Sequence, residues 1–152
     1  MEKLALIKTG FPEMVRTLNP TQMGKWGKMN AIQMVEHMSE SIRVANGKLP
    51  LELQQSAEQT AKNRSFMLSE KPFRENTPNP LLPNLPPDSK HRDLESALTE
   101  YVSEVNAFLS HFSDRPELKV TNPFFGDLNF DEWVHLLHKH VSHHLRQFNL
   151  IP

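Results

Sequence analysis

Asn129-Phe-Asp-Glu-Trp-Val-His-Leu-Leu-His-Lys-His-Val-Ser-His-His-Leu-Arg-Gln-Phe148 carries five of the chain's eight histidines, and its apolar residues recur at helical spacing. At about 100° per residue, Phe130, Trp133, Val134, Leu137, Val141, Leu145 and Phe148 share one face, which predicts an amphipathic helix with that face buried. His140 and His144 fall among these apolar residues on the Trp133 side, one helical turn apart. On the same wheel His135 and His143 point away from the apolar face, and His138 lies on its opposite shoulder. Two inward imidazoles at i and i+4 can reach a single ion without distorting the backbone. Inward histidines are also often satisfied by neighbouring carbonyls or hydroxyls. Left unpaired on a packed seam, each would cost ~1–3 kcal/mol, which a shared ion would relieve.

Moving outward, the helix opens with Asn129 as N-cap and Glu132 three residues on, a capping-box spacing, with Leu128 placed to staple against Trp133. Asp131 and Glu132 at its start and Arg146 in its last turn suit the helix dipole. A second helix repeats the signal: Asn30 caps it, Gln33 closes the box, Met29 staples against Met34, and Asn46-Gly47 stops it after Ala45. Met34, Val35, Met38, Ile42 and Ala45 form its inward stripe. His37 sits at the edge of that stripe near mid-helix, as His140 and His144 do on theirs, so the depths match if the two helices pack side by side. A third helix is marked by Leu94, Leu98, Tyr101, Val105, Phe108 and Phe112 in alternating steps of four and three.

The N-terminal stretch from Glu2 to Leu18 has a helical scatter of apolar residues interrupted by Gly10 and Pro12, which predicts one kinked helix or two short ones. Residues Pro20 to Lys28 read as a loop with Trp26-Gly27 as a packing plug, and Ser113 to Leu128 as a loop around Asn122-Pro-Phe-Phe-Gly126. The long connection from Lys48 to Ser89 is polar and helix-compatible between Leu51 and Leu68. After Ser69 it holds too many prolines for a helix or a central strand. Phe73, Leu81, Leu82 and Leu85 give that tract apolar teeth, so an extended segment laid across the helices is expected. Four principal helices with a long Pro-rich crossover between the second and third make an all-α four-helix bundle, one domain over residues 1–152, the economical fold.

Composition narrows the chemistry. A formal net charge of −1 offers no basic excess for nucleic acid or acidic lipid, which points to small or neutral partners. With no cysteine, thiolate zinc sites and a Cys nucleophile are excluded, so a metal would be held by nitrogen and oxygen. No stretch approaches the ~20 apolar residues of a membrane span, the N-terminus lacks the apolar run of a signal peptide, and a cytoplasmic location is expected.

Three segments together, Trp26-Gly-Lys-Met-Asn-Ala-Ile-Gln-Met-Val-Glu-His37, Phe125-Gly-Asp-Leu-Asn-Phe-Asp-Glu-Trp133 and Lys139-His-Val-Ser-His-His-Leu-Arg-Gln-Phe148, resemble the DinB/YfiT-like superfamily in a branch of small proteins. The Pro-rich stretch from Phe73 to Pro87 is similar to that branch too. The resemblance implies a bundle of up-down-down-up order, often dimeric. It also implies a divalent metal held by one histidine of the second helix and an H-x-x-x-H pair of the last, which are His37, His140 and His144 here. Zinc, nickel and iron all accept three imidazoles. The implied activity is a metal-dependent hydrolase or a thiol-dependent transferase acting on a small molecule. Such an ion serves as a Lewis acid or lowers the pKa of bound water. The resemblance also leads one to expect a histidine where Asn122 stands, so substrate handling would differ here if that side chain takes part in the site.

Other residues are read beside these. Gln147 shares the His140 side of the last helix and can orient a ligand, and Ser41, one turn beyond His37, can serve the site or simply pack. Glu36 and Glu132 offer acid–base groups but sit where a solvated helix face would place a carboxylate. The competing reading is a non-catalytic bundle whose metal is structural or absent, acting through dimerisation or partner binding.

Overall fold

The computed structural model describes residues 2–76, 79, 81–83 and 85–152, over which the chain is mostly helical with one small two-stranded sheet. The N-terminal run is helical throughout: α1 (Glu2–Ala5), a π-helical turn over Leu6–Gly10, and α2 (Phe11–Val15). Pro12 accounts for the turn. The Phe11 N–H donates to the Leu6 carbonyl, so the Ile7 carbonyl loses its usual partner, and the next residue along, Pro12, has no N–H to offer. The buried Tyr101 hydroxyl donates to that Ile7 carbonyl at 2.5 Å, and burial pushes the phenol's pKa well up, so it stays a donor. The expected kink is therefore absorbed as a π turn whose freed carbonyl is satisfied from another helix.

α3 (Ala31–Ala45) and α6 (Phe130–Gln147) each start with a complete capping box, Asn30 with Gln33 and Asn129 with Glu132. Each box satisfies two otherwise orphaned N–H groups and so fixes where the helix begins. The inward stripe of α3, from Met34 to Ala45, is fully buried, and Gly47 ends it with φ +81 against the His111 ring. α5 (Leu94–Phe112), whose six seam residues are all buried, packs chiefly on α3. Glu104 joins the two: its carboxylate accepts from Arg43 Nε (2.9 Å), Lys48 Nζ (2.8 Å) and Asn46 Nδ2 (3.0 Å). Burial alone would push its pKa up, but the bonds from Lys48 and Asn46 and the charges of Lys48 and Arg43 outweigh that and hold it below the usual carboxylate range. α6 packs on α3 and on the N-terminal helices, and also on α4 (Ala57–Leu68), which realises the helix-compatible half of the long connection.

Two expectations need correction. The stretch read as a loop before the last helix contains an antiparallel hairpin, β1 (Val120–Asn122) paired with β2 (Gly126–Leu128), with Val120 opposite Leu128 and Asn122 opposite Gly126. Strands of three residues are too short to show a period of two, and the turn does the work. Asn122 Oδ1 accepts from the backbone N–H groups of Phe124 and Phe125, and Gly126 closes the turn at φ +83. Trp133 Nε1 then donates to the Val120 carbonyl at 3.1 Å and pins the hairpin to α6.

In the Pro-rich tract, Phe73 packs against the core as expected, but Leu81, Leu82 and Leu85 are 45%, 43% and 66% exposed, so they are not teeth biting into the helices. Thr77, Pro78, Pro80 and Asn84 of that tract lie outside the described residues. Among the described residues, no helix is long and apolar enough to cross a membrane.

Candidate metal centre

His37 projects from the middle of α3, and His140 and His144 from successive turns of α6. One ring nitrogen from each lies within 4.8 Å of the others, and the three ring centroids are 4.8–5.1 Å apart. His144 is buried, while His37 and His140 keep partial exposure. The Nε2 atoms of His37 and His140 stand 3.1 Å apart. Two imidazole nitrogens that close must share a proton or a cation, since two facing lone pairs repel.

The tautomer of His144 follows from its neighbours. The Trp26 carbonyl can only accept, so the amide facing it at 2.9 Å is the Gln147 Nε2 group, and Gln147 Oε1 is left facing His144 Nδ1 at 2.7 Å. Nδ1 must therefore carry the proton. His144 Nε2 is then a bare lone pair, buried, with no hydrogen-bond partner among the described residues. The loop bearing Trp26 is shaped around this amide: a Cβ on Gly24 would meet Gln147 Cγ at 2.7 Å, one on Gly27 (φ +77) would meet Nε2 at 2.9 Å, and the Lys25 N–H donates to the Gln147 carbonyl. A buried imidazole locked by a partner on one nitrogen and left open on the other is how proteins present a metal ligand.

Burial, with the charge of His143 second, lowers the His37 pKa to about 4. Burial likewise pushes His140 and His144 well below the ordinary imidazole range, with the neighbouring histidines adding to it. All three rings are therefore neutral at pH 7, and each has one nitrogen lone pair that an ion could take in place of the proton shared between His37 and His140. Zinc–nitrogen bonds of about 2.0–2.1 Å give a tetrahedral ligand edge of roughly 3.3 Å, close to the observed His37–His140 spacing, with the His144 nitrogen within 4.8 Å of both. The three residues fit a divalent ion.

The remaining sequence candidates divide. Gln147 is at the centre, as just described. Ser41 donates its hydroxyl to the His37 backbone carbonyl, 3.1 Å away, and so belongs to its own helix. Asn122 is committed to the hairpin turn. Glu132 serves the capping box and pairs with Arg64 of α4.

Two residues differ from the wheel's expectation. His143 is half-buried: the Trp26 ring lies 5.4 Å from it and the Phe73 ring 5.9 Å, because the loop before α3 and the start of the Pro-rich tract fold over a face the wheel assigns to water. Glu36 is not solvated either; its side chain is 15% exposed and accepts from the N–H groups of Lys90 and His91 and from His91 Nδ1 at 2.5 Å. His91, which also reaches Glu100 at 3.1 Å, carries no spacing signal in the sequence.

A cavity of about 400 Å³ opens beside the cluster. His37, His143, Trp26 and Glu36 line it together with Leu82, Pro83, Pro86 and Pro87 of the Pro-rich tract. Residues 11–148 match the family model described as the DinB superfamily. No curated protein and no solved structure matches the chain.

Proposed function

The chain belongs to the DinB superfamily, and on that footing we propose that His37, His140 and His144 hold a divalent metal ion, zinc, nickel or iron, within a four-helix bundle of up-down-down-up order. We infer that the protein is a metal-dependent hydrolase or thiol-dependent transferase acting on a small molecule. The observation that carries the reading is His144 Nε2: a buried lone pair, its tautomer set by Gln147 and Trp26, aimed into a cluster of two further imidazoles. Three neutral ligands leave a bound dication its full charge, so the ion would supply Lewis-acid chemistry to a substrate oxygen or thiol.

The chain's own residues supply the rest. His144 and Gln147 anchor the cluster at its buried end, and His37 presents it to the cavity. Trp26, Met29, Leu82 and Pro83 would pack the apolar part of a substrate and exclude water from its reacting end. Glu36, by holding the backbone of Lys90 and His91, and Gln33, by donating to the Pro87 carbonyl, fasten the end of the Pro-rich tract over that cavity. A purely structural ion would have no use for such an opening, and the cavity reaching His37 is what favours the catalytic reading over it.

Calorimetric titration of zinc, nickel and ferrous iron into chelator-treated protein tests the ligand set. One ion per chain is expected, and its loss in His144→Ala. Binding retained by that variant refutes it. A screen pairing small thiols with electrophiles, and a panel of small esters and amides, then tests the reaction class with the loaded protein.

A further inference from the structure

On the side of α6 away from His140 and His144, about 100° or more of helix rotation from them, His135, His138, Lys139, Ser142 and Arg146 recur at i, i+3, i+4, i+7 and i+11. This stripe is not open surface. Ser69, Lys71 and Pro72, where α4 runs into the Pro-rich tract, close over it together with Lys3, and a cavity of about 90 Å³ remains between them. Four cationic side chains, Lys3, Lys71, Lys139 and Arg146, line it against the single carboxylate of Glu70, in a chain whose formal net charge is −1. Glu70 neutralises little, because its side chain is 88% exposed and its oxygen stands 3.9 Å from Lys3 Nζ.

Lys139 is the unusual member. It is 7% exposed, yet its ammonium has only neutral partners among the described residues: the carbonyls of Ser69 and Lys71, and the face of Phe66 at 4.5 Å from the ring centroid. The charge of Glu70 reaches it through space, with no hydrogen bond or ion pair between the two among the described residues, so burial of this cation is poorly compensated, and an ammonium has three donors, of which two are used here. With one exposed carboxylate against four cations, what the cleft lacks is a buried anion. Its volume is that of roughly three waters, the scale of a small oxyanion and too little for a nucleotide. Arg146 and Lys71, which have a fork of donors and a mobile point charge respectively, are the residue types that bind phosphoryl oxygens.

We propose that this cleft is a binding site for a phosphate-class oxyanion, either free phosphate or the phosphoryl group of a small phosphomonoester, separate from the imidazole cluster on the same helix. Lys139 sits at its base, already held by backbone, and Lys3, Lys71 and Arg146 close on the ligand from the rim.

Calorimetric titration of sodium phosphate, glycerol phosphate and sodium acetate into the full chain at constant ionic strength tests this. Saturable phosphate binding is expected, with acetate at least about tenfold weaker, and about tenfold weaker phosphate binding in the Lys71→Gln/Arg146→Gln double variant, which leaves the buried Lys139 untouched. Glycerol phosphate binding at least as tightly as phosphate assigns the site to a phosphomonoester, whereas phosphate alone binding assigns it to the free ion. Phosphate binding must also survive in His144→Ala. Absence of saturable binding up to about 10 mM, equal affinity for acetate, equal affinity in the double variant, or loss in His144→Ala overturns the proposal.

Discussion

Replacing Gln147 separates the two tasks its amide performs. The side chain is 3% exposed and makes two hydrogen bonds, accepting from His144 Nδ1 at 2.7 Å and donating to the Trp26 carbonyl at 2.9 Å. Gln147→Leu keeps the bulk and removes both, leaving the buried His144 Nδ1–H and the partly buried Trp26 carbonyl without partners, about 3 kcal/mol in all. For a chain of 152 residues that is a fall in Tm of about 10 °C. With its tautomer no longer set, His144 can place its proton on Nε2, and zinc affinity should fall about 10–100-fold. Gln147→Glu behaves differently. Its carboxylate still accepts from Nδ1, and more strongly, but opposes the Trp26 carbonyl. Tm should fall again while zinc affinity holds or rises. Thermal denaturation and zinc calorimetry on the two variants read the split. If Gln147→Leu binds zinc within about twofold of the wild type, the amide does not set the tautomer and the reasoning fails.

Other consequences are simpler to read. Because burial lowers His37 to about 4 and pushes His140 and His144 well below their ordinary values, the unfolded chain binds more protons than the folded one as pH drops below about 6.5. The urea midpoint of metal-free protein should therefore be flat above that pH and fall from there toward pH 4, more shallowly in His37→Gln; a midpoint that rises on acidification contradicts the neutral cluster. Tyr101→Phe strands the Ile7 carbonyl at the π turn and should cost about 1–3 kcal/mol in denaturant unfolding, while unchanged stability would mean that the carbonyl finds another donor. Ser41→Ala should leave zinc affinity unchanged, since the hydroxyl serves the His37 carbonyl, and a tenfold loss would place it in the site.

The parts of the molecule legible in the sequence are those governed by periodicity and capping. Asn30 with Gln33 and Asn129 with Glu132 mark the starts of α3 and α6, and the seam of α5 reads off its steps of four and three. Helix phase and depth place His140 and His144 inward and His37 at a matching height, while that the two helices pack side by side, and so that the three converge, comes from the family resemblance. Where segments without a period set the surroundings, the wheel misleads. His143 and Glu36 face outward on their own helices and are enclosed by Trp26, Phe73 and the Lys90–His91 backbone. The hairpin hides because its strands are shorter than the pattern needed to reveal them, and its signal is a side-chain turn at Asn122 followed by Gly126. Leu81, Leu82 and Leu85 show the converse, apolar residues of a proline-rich tract that stay exposed although their type suggests burial.

Elemental analysis of protein purified without a metal-affinity column tests the central claim most directly. The convergence of His37, His140 and His144 predicts about one divalent ion per wild-type chain, near zero in His37→Ala and His144→Ala, and a Tm that rises when the missing ion is restored to chelator-treated wild type, by the equivalent of about 2.7 kcal/mol at a hundredfold excess over Kd. Metal-free wild-type protein whose Tm is unmoved by zinc, nickel or iron would contradict it.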